Sequence, residues 1–370
     1  MDLTVSRSDL VRELNLSQGV VEKKTTIPIL SNVLLEADGD RVYLTATDLE
    51  LGIRCSCAAK VKKSGSGTIP ARRLLDYVRL LPEGDVQIRV LENHWASLTS
   101  GRSKTRIAGM SRESFPELPV MPSVMAEMPI GVLASMISRT IFAISSEESR
   151  FTLNGALLVL RKGGLVLVAT DGHRLAMAES VDELEGITVS YQALLPRKAM
   201  SELLKLAADV EPESVVKFAG DENHLFFQLG DRLLLSRRLT GNFPDYLRVL
   251  PKEHPHTVTI SRDVFRGALE RVSQFSDERS RGMRITFAKE EVKVHSSLPE
   301  AGESEESMPI EYTGPEIEIG FNSQYLLDFL RAVDEEEVSF LFKDPHSAGE
   351  LRPAGEKGAS YRYVIMPMRI

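Results

Sequence analysis

The sequence predicts an α+β protein in which one unit, built of two helices and several antiparallel strands, is repeated three times. Two observations predict this. Strand-like segments with alternating apolar residues are interrupted by amphipathic helical segments and by turns rich in Gly and Asp. Segments of matching pattern also recur about every 126 residues. The 370 residues exceed the size at which one core usually stops growing, about 250–300 residues, so the length favours two or three domains.

Each copy opens with a strand that leads directly into a helix. Residues 3–10 (LTVSRSDL) match residues 258–265 (VTISRDVF), and residues 128–137 are a diverged middle counterpart. In the third copy, apolar residues at helical spacing predict the face that packs on the sheets: Val264, Phe265, Ala268, Leu269 and Val272.

A β-hairpin follows in the first two copies. Apolar segments flank the turn residues 37–40 (ADGD) and 161–164 (RKGG), which hold glycine where a tight turn needs it. The second strand of each hairpin ends in Thr-Asp, as Thr47-Asp48 and as Thr170-Asp171. Because this pair recurs with the unit, and because Asp favours turns, we expect it to be structural.

A second helix and a further strand complete each copy. Residues 70–78 match residues 196–204 and 322–330, at offsets of 126 and 252. In the first copy the apolar positions of this helix should pack inward, which leaves three arginines outside: Arg72, Arg73 and Arg79.

Two proline-rich segments separate the copies. Phe115-Pro-Glu-Leu118 and Phe243-Pro-Asp-Tyr246 each begin such a segment. Proline cannot donate a backbone hydrogen bond, so both segments are predicted to be extended linkers rather than central strands. We therefore expect three domains, at residues 1–121, 122–250 and 251–370.

Positive charge is concentrated on the predicted helices. The chain carries a formal charge of −8, which argues against a protein that coats DNA with its whole surface. We predict six helices, at residues 7–18, 72–81, 131–144, 197–207, 262–275 and 323–333. Together they hold 13 Lys and Arg against 7 Asp and Glu, so they carry +6 and the remainder carries −14. These charges are either solvated faces of good helix formers or a basic lining that attracts phosphates without reading bases. The repeat favours the lining, because tandem copies would bring the helices to the same side.

The sequence contains no complete catalytic or metal-binding motif. A phosphate-binding Gly-rich loop, His-Glu-x-x-His and Gly-x-Ser-x-Gly are absent, and the seven histidines are scattered. Asp171 and His173 stand close enough to suggest acid–base chemistry, so an enzyme remains an alternative. Because Thr-Asp recurs in the first copy without a histidine, we instead expect no catalytic residue. The scattered histidines and the missing motifs predict no metal and no cofactor. Gly172, His173 and Arg174 belong to the middle copy alone, which indicates a binding surface.

The start of the chain and its cysteines bear on location. Residues 1–10 lack a basic region followed by an apolar stretch, and no apolar run reaches the ~20 residues of a membrane span. Cys55 and Cys57, the only cysteines, lie in a strand-like segment and favour neither a disulfide framework nor a zinc site. We expect a cytoplasmic protein with no membrane partner, in which both cysteines are half-buried.

Five segments of the chain stand out as motifs: Leu153-Asn-Gly155, Ala169-Thr-Asp-Gly-His-Arg-Leu175, Phe243-Pro-Asp-Tyr246 with Arg248-Val249, Gly320-Phe-Asn322 and residues 363–370 (YVIMPMRI). With these segments the chain resembles the bacterial sliding clamp family, the beta subunit of DNA polymerase III holoenzyme. Each segment is short, but the five occur in order and the match covers the whole length.

The resemblance implies a non-catalytic processivity factor. Three clamp domains per chain would close as a head-to-tail homodimeric ring, with helices lining a hole for duplex DNA and sheets outside. The ring would tether the DNA polymerase III alpha subunit, the clamp loader and other proteins with a clamp-binding motif, without sequence-specific DNA contacts. A scaffold that binds such partners and never touches DNA is a further alternative.

The resemblance also implies a pocket between the middle and third domains that takes a short extended peptide with apolar anchors. Methionine side chains are adaptable, which suits a surface that several partners share. The matching positions are Leu153, Thr170, Gly172, His173, Arg174, Leu175, Pro244, Arg248, Val249, Asn322, Tyr325, Val364, Met366, Pro367, Met368 and Arg369. Ser280, His346 and Ala348 stand where some relatives carry more apolar walls, which leaves the peptide preference open.

Two further residue sets follow from the implied ring. Basic residues expected to face DNA are Arg72, Arg79, Arg197, Lys198 and Arg266 on helices, with Lys24 and Arg150 in loops. Charge complementarity predicts that the basic segment 102–106 of one chain meets the acidic segment 300–306 of the other. The interface residues expected are Arg73, Arg102, Lys104, Arg106, Ile107, Phe275, Glu303 and Glu305.

Overall fold

The computed structural model describes residues 1–21, 26–180, 190–355 and 360–369. The chain forms two compact units. The first unit consists of Met1–Ala134 with Lys198–Arg238, and the second of Ser135–Arg197 with Leu239–Ile370.

Among the described residues six α-helices lie where the repeat predicts them: α1 Arg7–Gln18, α2 Ala71–Leu80, α3 Ile130–Thr140, α4 Arg197–Ala207, α5 Arg262–Val272 and α6 Ser323–Ala332. The predicted helices at 131–144 and 262–275 end earlier than expected, because their last residues form separate 3-10 turns at Ile141–Ala143 and Ser273–Phe275.

The strands are, in chain order, β1 Asp2–Ser6, β2 Asn32–Asp38, β3 Arg41–Thr47, β4 Leu51–Lys63, β5 Gly65–Pro70, β6 Asp85–Val90, β7 Trp95–Ser100, β8 Ser103–Ala108, β9 Ala126–Pro129, β10 Gly155–Arg161, β11 Gly164–Thr170, β12 Arg174–Glu179, β13 Tyr191–Pro196, β14 Val215–Gly220, β15 His224–Leu229, β16 Arg232–Arg237, β17 His256–Ser261, β18 Gly282–Ala288, β19 Glu291–Leu298, β20 Gly302–Pro309, β21 Ile317–Asn322, β22 Glu337–Phe342, β23 Gly349–Pro353 and β24 Ser360–Ile365. The predicted hairpin turns are confirmed, since Asp38 pairs with Arg41 and Arg161 with Gly164.

The first unit is built on one antiparallel sheet. Its strands follow the order β8-β7-β6-β1-β4-β16-β15-β14-β9, and β3, β2 and β5 extend from β4 in turn. The long strand β4 therefore pairs with β1, β3 and β16. Its pairing with β16, in which Leu51 faces Ser236 and Gly52 faces Leu235, joins the first repeat copy to the middle copy.

The second unit contains an eight-stranded and a four-stranded antiparallel sheet. The orders are β13-β10-β11-β12-β24-β23-β22-β17 and β20-β19-β18-β21. Strands β12 and β24 join the middle copy to the third copy, with Arg174 facing Ile365 and Leu175 facing Val364. This junction positions the candidate site described below.

The helices bury one apolar face, and one predicted core position is wrong. On α5 the residues Phe265, Ala268, Leu269 and Val272 are buried as expected, whereas Val264 is 52% exposed. Val264 lies one residue, or about 100°, before Phe265 on the helix, so its side chain falls outside the apolar face.

Cys55 and Cys57 are both free and fully buried in β4, rather than half-buried as expected. Burial raises the pKa of the Cys57 thiol to about 12. Both thiols are therefore protonated at neutral pH and serve as small packing groups.

Candidate peptide pocket and basic helix faces

The turn between β11 and β12 holds the residues that belong to the middle copy alone. The Asp171 carboxylate accepts hydrogen bonds from the backbone N–H groups of His173 and Arg174 at 2.9 and 3.1 Å. The Thr170 hydroxyl donates to the Arg174 carbonyl at 2.6 Å. Gly172 has a φ of +90°, in the region that favours glycine. Thr170 and Asp171 thus hold the turn that presents His173.

The turn between β3 and β4 is held by the same bonds. The Asp48 carboxylate accepts from the N–H groups of Glu50 and Leu51 at 2.9 and 2.6 Å. The Thr47 hydroxyl donates to the Leu51 carbonyl at 2.9 Å. The structural role predicted for the repeated Thr-Asp pair is therefore confirmed.

The Arg174 side chain is buried behind the turn and does not point into solvent. Its side chain is 9% exposed. The guanidinium donates to Asp171 Oδ2 at 3.0 Å, to Asp328 Oδ2 at 2.5 Å and to the Phe142 carbonyl at 2.7 Å. It also lies over the Tyr325 ring, 4.3 Å from the centroid. Burial alone would lower the pKa of Arg174, but its polar partners outweigh burial and raise that pKa above its usual range.

The C-terminal segment is attached to this turn. The N–H of Met366 donates to the His173 carbonyl at 2.9 Å, and the N–H of Met368 donates to the Gly320 carbonyl at 2.8 Å. On the other side of the turn, the Arg150 side chain donates to the Asp171 carbonyl at 2.7 Å. Residues 366–368 are consequently held in place and do not form a loose tail.

A cavity of about 190 Å³ opens between the turn, the end of β24 and the linker after Phe243. Its lining residues are Leu153, Thr170, Gly172, His173, Arg174, Leu175, Pro244, Tyr246, Val249, Val364 and Met366. All except Tyr246 were predicted as pocket residues. Tyr246 closes the Phe243-Pro-Asp-Tyr246 segment, so the linker motif itself was the signal that pointed to it.

The chemistry of the cavity is mainly apolar. Leu175 and Val364 are almost completely buried and form its floor, while Val249 and Met366 are 44% and 45% exposed at its rim. Thr170, His173, Arg174 and Tyr246 supply the polar side-chain groups of the lining. A space of this size accommodates one or two apolar side chains.

Other predicted pocket residues surround the cavity without lining it. Asn322 caps α6 by accepting a hydrogen bond from the Gln324 N–H at 2.9 Å, and Tyr325 stacks on Arg174. Arg248 is 85% exposed and pairs with Asp245 at 2.8 Å. The structure places Pro367, Met368 and Arg369 in the anchored C-terminal segment beyond the lining.

The three departures from the family pattern lie outside the cavity lining as well. Asp277 accepts hydrogen bonds from the backbone of Ser280, and Asp344 from that of His346, each at 2.8 Å. Ala348 packs against the apolar cluster that contains Leu175 and Val364. Ala348 therefore contributes to the support of the cavity floor.

In the first unit, the basic residues of α2 are exposed. Arg72 is 71% exposed and lies 3.7 Å from Asp76 of the same helix. Arg73 is also exposed, and Arg79 donates to the Asn15 side chain. Lys198, at the start of α4, pairs with Asp48. These cations lie on helix surfaces, where they can meet a phosphate backbone without reaching base edges.

In the second unit, the predicted DNA-facing residues differ from one another in exposure and in their ion pairs. Arg197 is exposed at the start of α4, and Arg266 of α5 is 38% exposed beside Asp263 at 3.4 Å. The Arg150 side chain donates a hydrogen bond to the Asp171 carbonyl and forms an ion pair with Glu147 at 2.8 Å. Lys24 lies outside the described residues.

The predicted interface segments are edge strands with opposite charge. In the first unit β8 ends the sheet. Lys104 and Arg106 are exposed on this strand, and Arg102 is exposed in the turn before it. In the second unit β20 ends the four-stranded sheet, and Glu303 and Glu305 are exposed. Edge strands present unpaired backbone groups to a further strand.

The expected apolar contact by Ile107 is corrected by its burial. Ile107 is 4% exposed and packs in the core of the first unit, because its side chain points to the opposite face of β8 from Arg106. Phe275 is partly buried, so part of its ring is exposed to solvent in the single chain. Of the two apolar residues expected at these edges, Phe275 is therefore the more accessible in the single chain.

The acid–base alternative meets a geometric obstacle at Asp171. One carboxylate oxygen accepts two backbone N–H groups and the other accepts from Arg174.

Across the described ranges, no group of three His, Cys, Asp or Glu residues is arranged to hold a metal ion. No helix among the described residues is long and apolar enough to cross a membrane.

Three family models match the chain in order. They describe the N-terminal, central and C-terminal domains of the DNA polymerase III beta subunit, and they cover residues 1–119, 127–245 and 247–369. The beta sliding clamp of Pseudomonas putida is 36% identical over 373 residues, covering 100% of both chains. That of Chlamydia muridarum is 33% identical, covering 100% of this chain and 99% of its own.

Solved structures agree with these matches. The crystal structure of the DNA polymerase III subunit beta from Pseudomonas aeruginosa has a TM-score of 0.94 at 35% identity, covering 100% of both chains. The DNA polymerase sliding clamp from Bacillus subtilis has a TM-score of 0.94 at 26% identity, covering 100% of this chain and 99% of that one. The fold is shared along the full length of the chain.

Proposed function

The chain belongs to the DNA polymerase III beta subunit family, and we propose that it acts as a DNA sliding clamp that closes around duplex DNA and tethers the polymerase. The observation that carries this proposal is the succession of the three family models along the whole chain. Their ranges lie close to the three domains that we place at 1–121, 122–250 and 251–370.

The basic helix faces suit a surface that slides on DNA. Contacts from Arg and Lys to phosphate are strong in sum but carry no sequence information. The first unit exposes Arg72 and Arg79 on a single helix, while the chain as a whole is acidic. This distribution attracts DNA to the helices and repels it from the remaining surface.

Ring closure is proposed to join β8 of one chain to β20 of another. Pairing of two edge strands would continue a sheet across the interface, and the charges of Arg102, Lys104 and Arg106 complement those of Glu303 and Glu305. Phe275 would supply the apolar contact. Arg73 lies at the open groove of about 690 Å³ between α1 and α2, where it could join the same interface.

The pocket at the β12–β24 junction is proposed to bind the partner proteins. The DNA polymerase III alpha subunit and the clamp loader would each insert a short extended peptide, with an apolar side chain on the floor formed by Leu175 and Val364. His173 and Met366 border the peptide path. Tethering makes re-binding of the polymerase to its template intramolecular, so processivity comes from topology and not from tight binding to DNA.

The test uses circular and linear DNA. The chain is incubated with a clamp loader, ATP and nicked circular DNA, and protein that remains with the DNA is measured after gel filtration in high salt. We expect retention on the circle and loss once the circle is linearised, because a ring slides off a free end. Equal retention on both forms would overturn the topological proposal. A variant carrying Arg102→Glu and Arg106→Glu, in which the ring should not close, is the matched control.

A further inference from the structure

The β4–β16 junction of the first unit repeats the pocket geometry position by position. Gly52 faces Leu235 there, as Leu175 faces Val364 in the pocket. The N–H of Arg237 donates to the Glu50 carbonyl at 2.7 Å, as the N–H of Met366 donates to that of His173 at 2.9 Å. The Thr-Asp turn leads into both junctions with the same hydrogen bonds.

A cavity is present at this junction too, but it measures only about 60 Å³, against about 190 Å³ for the pocket. Its lining residues are Thr47, Leu49, Glu50, Leu51, Gly52, Pro116, Glu117, Leu118, Pro119, His224, Leu235 and Arg237. Pro116 and Leu118 belong to the first linker, at the positions that Pro244 and Tyr246 hold in the second. The two cavities are therefore counterparts within the repeat.

The smaller volume has a specific cause at Gly52. A Cβ atom on Gly52 would lie 3.0 Å from Leu118 Cδ2 and 3.2 Å from Cδ1, so the Leu118 side chain occupies the space above this glycine. Leu118 packs there against the cluster of Ala219, Phe226 and Leu235. In the open pocket the residue that corresponds to Gly52 is Leu175, which has a side chain where Gly52 has none, and Tyr246 takes the place of Leu118 in the lining.

The mouth of the small cavity differs as well. Leu49 replaces Gly172 in the turn, with a φ of +77° and a side chain that is 49% exposed. Glu50 and Arg237 replace His173 and Met366, and they form an ion pair of 3.0 Å. Leu49 and this ion pair cover the apolar interior from the solvent side.

We propose that the β4–β16 junction is a second peptide pocket, kept closed because Leu118 of the chain's own linker occupies it in place of a partner's apolar side chain. This inference rests on the proposed peptide-binding role of the open pocket. Leu118 then determines how many peptides a chain binds. With Leu118 in place the chain binds one, and without it the same class of extended peptide with apolar anchors has two sites.

The experiment counts peptide sites on the full-length chain. Wild type and Leu118→Ala are titrated calorimetrically with one pentapeptide that carries leucine and phenylalanine anchors. We expect one peptide per chain for wild type and two for Leu118→Ala. Absence of binding to wild type would overturn the peptide-binding proposal and this inference with it. One peptide for wild type and one for a folded Leu118→Ala would overturn this inference alone.

Tryptophan reporters locate the added site. Glu117→Trp places a reporter at the closed junction, and Asp245→Trp places one at the matching position of the open pocket. The peptide should change the fluorescence at 245 in both backgrounds and at 117 only in the Leu118→Ala background. If Leu118→Ala does not fold, Leu118→Val replaces it, and the reporter at 117 should then respond at higher peptide concentration. A silent reporter at 117 in a folded variant contradicts the inference.

Discussion

Arg174 and Asp328, 154 residues apart in the chain, are joined by a charge-assisted hydrogen bond of 2.5 Å between Nη1 and Oδ2. The bond links the first residue of β12 to helix α6, and hence the middle repeat copy to the third. The same guanidinium holds Asp171, which shapes the turn at the pocket. Arg174 therefore fixes the position of the turn at the pocket relative to helix α6.

Replacing Arg174 with Ala should destabilise the second unit by about 3–5 kcal/mol, because it leaves two carboxylates without their buried partner. Chemical denaturation, followed by circular dichroism, measures the change. Arg248→Ala is the control, since Arg248 is 85% exposed and its loss should cost less than about 0.5 kcal/mol. Equal stability of the two variants would show that the Arg174 network contributes little.

The buried pair of Glu13 and Arg232 should behave differently when one or both partners are removed. Glu13 accepts two hydrogen bonds from Arg232, at 3.0 and 2.8 Å, and is 1% exposed. Glu13→Leu alone should destabilise the first unit by about 3 kcal/mol, because Arg232 would stay buried and would keep one ion-pair partner among the described residues, Asp209. Adding Arg232→Met should recover most of that loss, since two apolar side chains can replace a buried ion pair.

Denaturation midpoints of the single and double variants test this pattern. Lys217→Met is the control, because Lys217 pairs with Glu127 at 3.7 Å and both are about half exposed, so its loss should cost less than about 1 kcal/mol. A double variant as unstable as Glu13→Leu would mean that the fit of the side chains, and not the unpaired charge of Arg232, determines the loss of stability.

The repeat and the local turns could be predicted from the sequence because both depend on short-range patterns. Helical spacing placed the helices, and Thr-Asp marked both turns, since the side chains that hold each turn lie within four residues of it. Comparison of the repeat copies indicated a binding surface at residues 172–174, but the rest of the pocket lining was predicted only through the family resemblance. No local pattern indicates that residues near 153, 172, 246 and 364 meet.

Burial at sheet and helix margins could not be predicted, because it depends on partners far along the chain. Ile107 occupies the inward face of β8, and Val264 falls just outside the apolar face of α5. Arg174 was predicted as a pocket wall, but its role follows from Asp328, which the sequence gives no means to pair with it. The same holds for Leu118, whose place above Gly52 requires the fold.

Reversing the charges of the β8 edge should weaken the dimer. Arg102→Glu with Arg106→Glu puts like charges opposite Glu303 and Glu305 in the proposed interface, so the dissociation constant should rise at least tenfold. Sedimentation at low and at high salt measures it, and salt should reduce the difference. Lys60→Glu with Lys62→Glu changes the net charge equally on exposed positions of β4 and should leave the dimer intact. A dimer of unchanged affinity in the β8 variant rules out this edge.

Acid should destabilise the second unit through Glu350. Burial opposes the charged carboxylate, but hydrogen bonds from Arg362 and Arg352 outweigh it and lower the pKa of Glu350 to about 2 from 4.5. Because the folded pKa lies below the unfolded one, the stabilisation is fully present above pH 4.5 and is lost as the pH falls toward 2. Thermal unfolding from pH 6 to pH 2.5 should therefore show a steeper fall for wild type than for Glu350→Gln, which starts less stable. Parallel curves would exclude Glu350 as the group responsible.

The two Thr-Asp turns should differ in their sensitivity to exchange of their left-handed residues. Gly172 has a φ of +90°, and a Cβ there would lie 2.9 Å from Arg150 Nη1, so Gly172→Ala should destabilise the second unit by about 1–2 kcal/mol. Leu49 has a φ of +77°. Leu49→Gly relieves backbone strain but adds freedom to the unfolded chain, so its effect should stay within about 0.5 kcal/mol. Denaturation of both variants measures the contrast. Because each turn is held by the same side-chain hydrogen bonds, a loss of equal size in both would mean that backbone conformation does not distinguish them.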